Sequence, residues 1–337
     1  MRIIESEIYK GYNMAANIET MMSVKQTPWH GLGTILKEAP SAEDAMKNAG
    51  LDWTVSKQQA QFVDNQGIVK PINGQFAIVR DKDQKCLGIA GSTYQPLQNS
   101  DAFKFFDPFV NAGEALYETA GALEGGKRIW VLAKINRDPL EIVKGDIVNK
   151  YVLLSNKHSC GYSVKGGLTP IRVVCSNTLN AAIRNGKGKI FNVTHSTQMV
   201  QKLEDLQATI SQMDEAFQQA GEAYRMFAKK KVNAELIDQF LAMTYQWSVS
   251  ADEIERSQRQ ESFQRKQTES ILRLFETGRG TDIKGVRGTV WGLYNAVTEH
   301  VAHERGKLED NRLQSAWFGT GMDINKRAFE AALELVK

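Results

Sequence analysis

The chain has 337 residues, of which 42% are hydrophobic and 24% charged, and its formal net charge is +3 at pH 7. These values are ordinary for a globular protein and exclude a chain that binds nucleic acid through global basicity alone. Three scattered cysteines form no CxxC pair, which argues against a disulfide framework and a structural zinc site. With no apolar run of roughly 18 residues and no secretory signal, we expect a cytoplasmic protein without a membrane partner.

The first part of the chain is mixed in character. Met14 is a plausible alternative start, so residues 1–13 are treated as a leader or alternative-start segment, and whether they belong to the native protein stays open. Residues 41–51 begin with a serine, carry acids in the first turn and close on a glycine, a pattern that predicts a short helix.

Between residues 52 and 176 the hydrophobic period indicates strands. "GQFAIVRD" and "KCLGIAGSTY" flank the turn "DKDQ", and "ALYETAGAL" and "RIWVLAKI" flank the Gly-Gly turn of "EGGK", so we expect two hairpins. Residues 100–113 form a helix that Pro108 should bend or end. "KYVLLSNKHS" and "TPIRVVCS" add strands, the second leading into the helix "TLNAAIRNG", capped by Ser176 or Asn177.

The rest of the chain is predicted to be helical. Apolar residues alternate three and four apart from Leu203 to Phe227, a seam typical of an intramolecular packed helix or of an oligomer arm. The polar stretch 257–268 fits either a helix or a loop. The expected fold class is α+β, with an antiparallel hairpin-rich sheet domain and packed helices over residues 14–190, followed by an all-helical domain over residues 191–337.

One charge asymmetry points to a partner. No Asp or Glu lies between Asp146 and Glu204, although lysines and arginines continue through this stretch. Basic residues on strands, interleaved with aromatic residues, are typical of a groove that binds single-stranded nucleic acid. The expected contacts to phosphate are Lys127, Arg128, Lys157, Lys165, Arg172, Lys187 and Lys189, and the expected base-stacking residues are Trp130 and Tyr162, with Tyr151 as a further candidate.

The junction at Cys175–Thr178 adds a second feature. A helix beginning at Asn177 would present free N–H groups, which together with Arg172 would form an anion site. Two other interpretations stay open: a site for another polyanion or nucleotide, and a plain solvated face on which lysines protect strand edges.

Other motifs lack the spacing that catalysis or metal binding requires. His300, His303 and Glu304 do not match the zinc-protease pattern, and "GRGTDIKGVRG" lacks the P-loop consensus. His158 and Cys160 are neighbours without an identifiable third group. We therefore expect no catalytic residue, no cofactor and no metal.

Several segments carry a resemblance when they are taken together: "TPWHGLGT", "FAIVRD", "LGIAGSTYQPLQN", "ETAGALEGGKRIWVLAKI", "TPIRVVCSNTLNAAI" and "GTVWGLYNAV". In this order they resemble a phage- and plasmid-borne family called phage/plasmid-like protein, a domain of unknown function. The resemblance implies a mobile element in a bacterial cytoplasm and supplies no catalytic residues. At fold level only, the hairpins and basic groove are similar to Rad52-like single-strand annealing proteins, which form rings without nucleotide or metal catalysis.

The functional expectation is a non-enzymatic phage or plasmid DNA-binding protein that binds single-stranded DNA or anneals strands in recombination or replication. Single-stranded DNA is the expected partner, and a homo-oligomer or ring is a further one. Two alternatives stay open: a nucleotide- or phosphate-processing enzyme of a mobile element, and an interaction protein that acts on a host factor.

Overall fold

The computed structural model describes residues 18–25, 33–136, 138–172, 177–178, 191–210, 213–246, 258–306, 315–317 and 319–337. The strands are β1 Ile18–Val24, β2 Thr34–Leu36, β3 Val55–Val63, β4 Val69–Arg80, β5 Cys86–Gly91, β6 Ala115–Leu123, β7 Arg128–Ile135, β8 Leu140–Val143, β9 Asp146–Lys157, β10 Val164–Arg172, β11 Asn177–Thr178 and β12 Phe191–Val193. The helices are α1 Ala42–Asn48, α2 Asn99–Lys104, α3 Asp107–Asn111, α4 Met199–Ile210, α5 Met213–Lys229, α6 Ala234–Tyr245, α7 Gln258–Thr277, α8 Val290–Glu299 and α9 Thr320–Leu335.

A nine-stranded sheet forms the centre of the molecule, in the order β11-β10-β9-β7-β6-β1-β2, with β12 on β10 and β8 on β9. All of its pairings are antiparallel except β1 with β2. The predicted hairpin β6–β7 is confirmed, and Gly125 and Gly126 of its turn have φ of 65° and 86°, values that favour glycine. Strand β9 is buried along most of its length, so the centre of the sheet is covered on both faces.

A second, three-stranded antiparallel sheet has the order β3-β4-β5. Its β4–β5 hairpin is the one expected from the "DKDQ" turn. Strand β5 of this sheet packs against the segment that follows β9: a Cβ on Gly88 would lie only 2.7 Å from the Ser159 side chain. This close approach requires a residue without a side chain at position 88.

The helices share one hydrophobic core with the large sheet. An aromatic cluster joins α5, α8 and α9, with ring centroids 5.0 Å apart for Tyr224 and Trp291 and 5.8 Å apart for Tyr224 and Phe329. The same α5 reaches the sheet, where the Lys150 ammonium lies 5.5 Å from the Phe217 ring centroid. The structure is thus a mixed α/β fold with antiparallel sheets; the domain boundary at residue 190 stays a prediction, and the core extends across it.

Several predictions about individual elements can be compared directly with the structure. The single helix expected over residues 100–113 is divided into α2, which ends at Lys104, and α3, in which Pro108 occupies the first turn. Phe217, Ala220, Tyr224 and Phe227 are all buried, so this part of the apolar seam packs inside the chain. Residues 258–268, for which a loop was the alternative, belong to helix α7. Residues 1–13 lie outside the described residues.

In the described ranges, no helix combines enough length with enough apolar character to cross a bilayer. The 20-residue helix α7, for example, carries many charged and amide side chains.

A buried hydrogen bond ties α8 to the sheet. The Trp291 indole N–H donates to the Asp146 carboxylate at 2.8 Å, and both side chains are fully buried. We expect Trp291→Phe to lower the free energy of unfolding by about 1.5–3 kcal/mol, because a buried acceptor loses its donor. Urea unfolding measures this loss. Trp130→Phe is the matched control, since the equally buried Trp130 N–H has no hydrogen-bond partner among the described residues. Equal losses in the two variants would contradict the assignment.

Candidate functional site

Four of the sequence-predicted residues meet at one end of the large sheet. Arg128 at the start of β7 lies directly opposite Lys157 at the end of β9. Lys127 precedes Arg128 in the hairpin turn, and Tyr162 lies in the connection from β9 to β10. We call Glu124, Arg128, Lys157 and Tyr162 the sheet-end cluster.

The acidic member of the cluster was not predicted. The Glu124 carboxylate accepts a hydrogen bond from the Lys157 ammonium at 2.6 Å and one from Arg128 Nε at 3.5 Å. Burial raises the pKa of Glu124, but the hydrogen bond and charge of Lys157, together with Arg128, outweigh it and lower the pKa overall. Glu124 is therefore ionised at neutral pH and neutralises part of the positive charge of the cluster.

Tyr162 is the exposed aromatic residue of the cluster. Its side chain is 47% exposed, while the Lys157 ammonium lies 4.1 Å from the ring centroid and the Arg128 guanidinium 5.8 Å from it. A cation over an aromatic ring is attracted by the ring quadrupole. The two cations hold the ring at the end of the sheet and leave part of its surface in solvent.

Two cations accompany the cluster. Lys127 is exposed and Lys165 is partly exposed, and neither forms an ion pair with a described residue. Lys165 lies opposite Ser155 of β9, and Ser155 lies opposite Trp130 of β7. Since directly opposed residues point to the same face of a sheet, Lys165 shares a face with Arg128 and Lys157.

Trp130 was expected to stack on a base, and the structure contradicts this expectation. Its side chain is fully buried, and its ring lies 6.3 Å from that of Trp317, centroid to centroid. Tyr151 is likewise buried. No base can reach a ring that has no exposed face, so Tyr162 is the one predicted stacking residue that the structure leaves accessible. Arg128 is buried beside Glu124, which limits its access to phosphate.

The strand-to-helix junction also differs from the expectation. Asn177 and Thr178 form the short strand β11, which pairs with Arg172 and Ile171 of β10. A helix therefore does not begin at Asn177. The expectation of an anion site formed by a helix N-terminus at Asn177 and Thr178 is wrong. The backbone of Arg172 and Asn177 is described but their side chains are not. Lys187 and Lys189 lie outside the described residues.

A buried polar cluster lies on the opposite face of β9. His158 is fully buried, with Nε2 3.2 Å from Asn99 Oδ1 and Nδ1 3.4 Å from Asn156 Nδ2. Asn99 in turn donates to the backbone oxygens of Leu51 and Trp53. These bonds explain why His158 does not serve the exposed Cys160: both of its ring nitrogens are engaged in the core.

The helical half contains a second polar network. Helix α8 continues into a π-helical turn, His300–Glu304, where Ser270 and Arg273 of α7 donate to the Glu304 carboxylate. His300 Nδ1 lies 3.2 Å from the Ser270 hydroxyl oxygen and 3.7 Å from Glu304 Oε2. Within the described part of the chain, no group of three or more His, Cys, Asp or Glu residues is arranged to hold a metal ion.

A groove of about 550 Å³ separates α5 from α9. Ala223, Phe329 and Leu333 form its apolar floor. Its lining also includes the half-exposed Met226, one lysine, Lys337, which pairs with Glu334, and three glutamates: Glu222, Glu330 and Glu334. The acidic rim opposes the binding of phosphate or nucleic acid there. In the described residues, the basic character thus belongs to the sheet end and not to this groove.

His158 predicts a pH dependence of stability. Burial, followed by the charges of His195 and Arg80, lowers its pKa to about 3. In the unfolded chain, the His158 imidazole binds a proton below about pH 6.5, whereas in the folded chain it stays neutral. The free energy of unfolding therefore falls by up to about 1.4 kcal/mol per pH unit as the pH drops below about 6.5. Chemical unfolding of wild type and His158→Gln across this range measures the slope. The variant should show the smaller slope, and parallel curves would contradict the prediction.

Comparison with known proteins places the chain in a family. A family model described as a domain of unknown function (DUF932) matches residues 86–317, more than half of the chain. No curated protein and no solved structure matches it. The matched segment runs from β5 to Trp317 and includes the whole sheet-end cluster. The chain belongs to the DUF932 family.

Proposed function

We propose that this protein binds single-stranded DNA at the sheet end, as a non-enzymatic factor of a phage or plasmid. The observation that carries the proposal is Tyr162, an exposed ring with two cations beside it. The acid-free stretch from Asp146 to Glu204 supports it, because it removes competing negative charge from β9, β10 and their connections.

The chemistry of the proposed contact has two parts. Lys127 and Lys165 neutralise phosphates, and a base stacks on the open part of the Tyr162 ring, an interaction worth about 1–3 kcal/mol per base. Neither part reads the identity of the base, so binding is independent of sequence. The contribution of Lys157 and Arg128 is reduced by Glu124.

The biological role follows from the resemblance to phage/plasmid-like proteins. Such a setting calls for proteins that coat or anneal single strands during recombination or replication. Arg172 and Asn177 pair at the other end of β10, where Arg172 lies opposite Val148, so they do not belong to the sheet-end site. Contacts from Lys187 and Lys189 stay a prediction, because both lie outside the described residues. A homo-oligomer would place several sheet ends along one strand.

An enzyme of a mobile element is the alternative of a different class. An active site brings converging polar groups with shifted pKa values into a deep pocket. The shifted histidines His158 and His300 are buried and hydrogen-bonded to neighbours, and the groove between α5 and α9 has an apolar floor. These features favour the binding protein over the enzyme.

Charge reversal tests the proposal. Lys127→Glu combined with Lys165→Glu should weaken binding to a single-stranded oligonucleotide by about tenfold or more at low salt, and each lost phosphate contact should reduce the log–log salt slope by about 0.7. Fluorescence anisotropy with labelled single- and double-stranded oligonucleotides, at low and moderate salt, measures both quantities.

The matched control is Lys266→Glu combined with Lys326→Glu, which makes the same change in net charge on α7 and α9. It should bind as the wild type does. Equal losses of affinity in the two double variants would show that only the net charge of the protein matters, and would contradict the proposed location of the site. Undetectable binding of the oligonucleotide by the wild type at low salt would refute the proposal.

A further inference from the structure

The outer half of the β3–β4 hairpin, residues 59–75, is an exposed arm. Nearly all of its residues are exposed on both faces, and its apolar side chains are 40–65% exposed: Phe62, Val63, Ile68, Val69 and Ile72. Apolar residues scattered singly on a surface are normal, whereas a contiguous group marks an interaction site. The arm therefore exposes more apolar surface than its role in this chain requires.

The arm is held in shape by its own polar contacts. The Asp64 carboxylate accepts from the backbone N–H groups of Gln66 and Ile68, both at 2.9 Å, and Gly67 completes the turn with φ of 78°. At its base, the Gln59 amide donates to the backbone oxygens of Ile72 and Gln75, at 2.8 and 3.1 Å. A two-stranded hairpin is marginal in water, so a pre-shaped arm gains stability from a third strand.

The hydrogen-bonding pattern shows which edge of the arm is open. The Asp64 N–H donates to Ile68 O across the hairpin. Hydrogen-bonded and non-hydrogen-bonded pairs alternate along an antiparallel ladder, so Gln61–Pro71 and Val63–Val69 are non-hydrogen-bonded pairs. The backbone N–H groups of Gln61 and Val63 therefore point away from β4. Pro71 has no N–H, and it blocks the outer edge of β4 against pairing. The outer edge of β3 carries no such block.

The contacts along the outer edge of β3 show which part of it can pair with another strand. Near its root, the Gln98 side-chain amide bonds to both backbone groups of Val55, at 3.0 Å each. Further out, the backbone of Gln61 and Val63 faces no described strand other than β4. The unpaired edge thus lies beside the exposed apolar side chains.

Charge identifies the kind of partner. Asp64 and Lys70 are the only charged residues of the arm, and they pair with each other at 2.6 Å. A neutral arm does not attract DNA or an anionic membrane, but two identical neutral arms approach without repulsion. Backbone pairing and apolar contact, both self-complementary across a two-fold axis, fit a second copy of this chain.

We infer that β3 of one chain pairs antiparallel with β3 of a second copy through Gln61 and Val63, joining two three-stranded sheets into one of six strands. Because Pro71 blocks the other edge of each arm, the assembly closes as a dimer and does not extend into a fibre. The inference is independent of the proposed DNA site, which lies on the large sheet.

Light scattering after size exclusion, over a dilution series, tests the dimer. The wild type should have twice the mass of one chain, and Val63→Lys combined with Val69→Lys should have the mass of one chain, because like charges then meet at the axis. Both side chains are more than half exposed, so the far-UV circular dichroism spectrum should show that the variant remains folded. Phe263→Lys combined with Leu272→Lys changes exposed apolar residues of α7 and should remain dimeric.

Hydrogen exchange supplies the second measurement. The amides of Gln61 and Val63 should exchange slowly in the wild-type dimer and at least about tenfold faster in the Val63→Lys, Val69→Lys variant. A monomeric wild type, a variant that stays dimeric, an open-ended oligomer, or a dimer with unprotected Gln61 and Val63 would each overturn the inference.

Discussion

The structure depends on the burial of its central sheet on both faces. Strand β9 is buried along most of its length. On one of its faces, the His158 ring links Asn156 of β9 to Asn99 of α2. Trp130, on the neighbouring strand and the other face, packs against Trp317. A sheet covered in this way offers no open face for a ligand. Whatever the sheet binds must approach its end or its edges.

Because both faces of the sheet are covered, only some of the basic residues on its strands can reach a ligand. Lys150 is buried against an aromatic ring, and Arg128 is buried beside Glu124. Lys127 and Lys165 keep access to solvent. In the described residues, the basic groove expected along the strands is thereby replaced by a smaller accessible region around Tyr162. Under the proposed function, the affinity of this site for DNA depends on a small number of charges, one of which is the opposing carboxylate of Glu124.

Local features of the fold could be predicted because they depend on near neighbours. The Gly-Gly turn of β6–β7 and the break at Pro108 both follow from single residues whose backbone preferences are strong. The alternation in "RIWVLAKI" gave the strand correctly. It could not show that both faces are covered, because that depends on helices more than a hundred residues away, and Trp130 was therefore misassigned.

The errors at the site have the same origin. Glu124 and Lys157 are 33 positions apart and meet through the pairing of β7 with β9, so a scan for acid-free stretches passes over Glu124. Asn177 has the residue type of a helix cap, but pairing with β10 outweighs that local preference. The turn motif "EGGK" was the one indication in the sequence, because its glutamate, Glu124, lies beside the start of β7.

The central claim is that the charge at the sheet end controls DNA binding, and Glu124→Gln tests it most directly. This variant removes the carboxylate that neutralises Lys157 and Arg128 and retains a hydrogen-bonding side chain of the same shape. The measurement is its affinity for a single-stranded oligonucleotide beside that of Glu269→Gln, an exposed carboxylate on α7. We expect several-fold tighter binding for Glu124→Gln alone. Unchanged or weaker binding, or an equal gain in both variants, would contradict the role of Glu124.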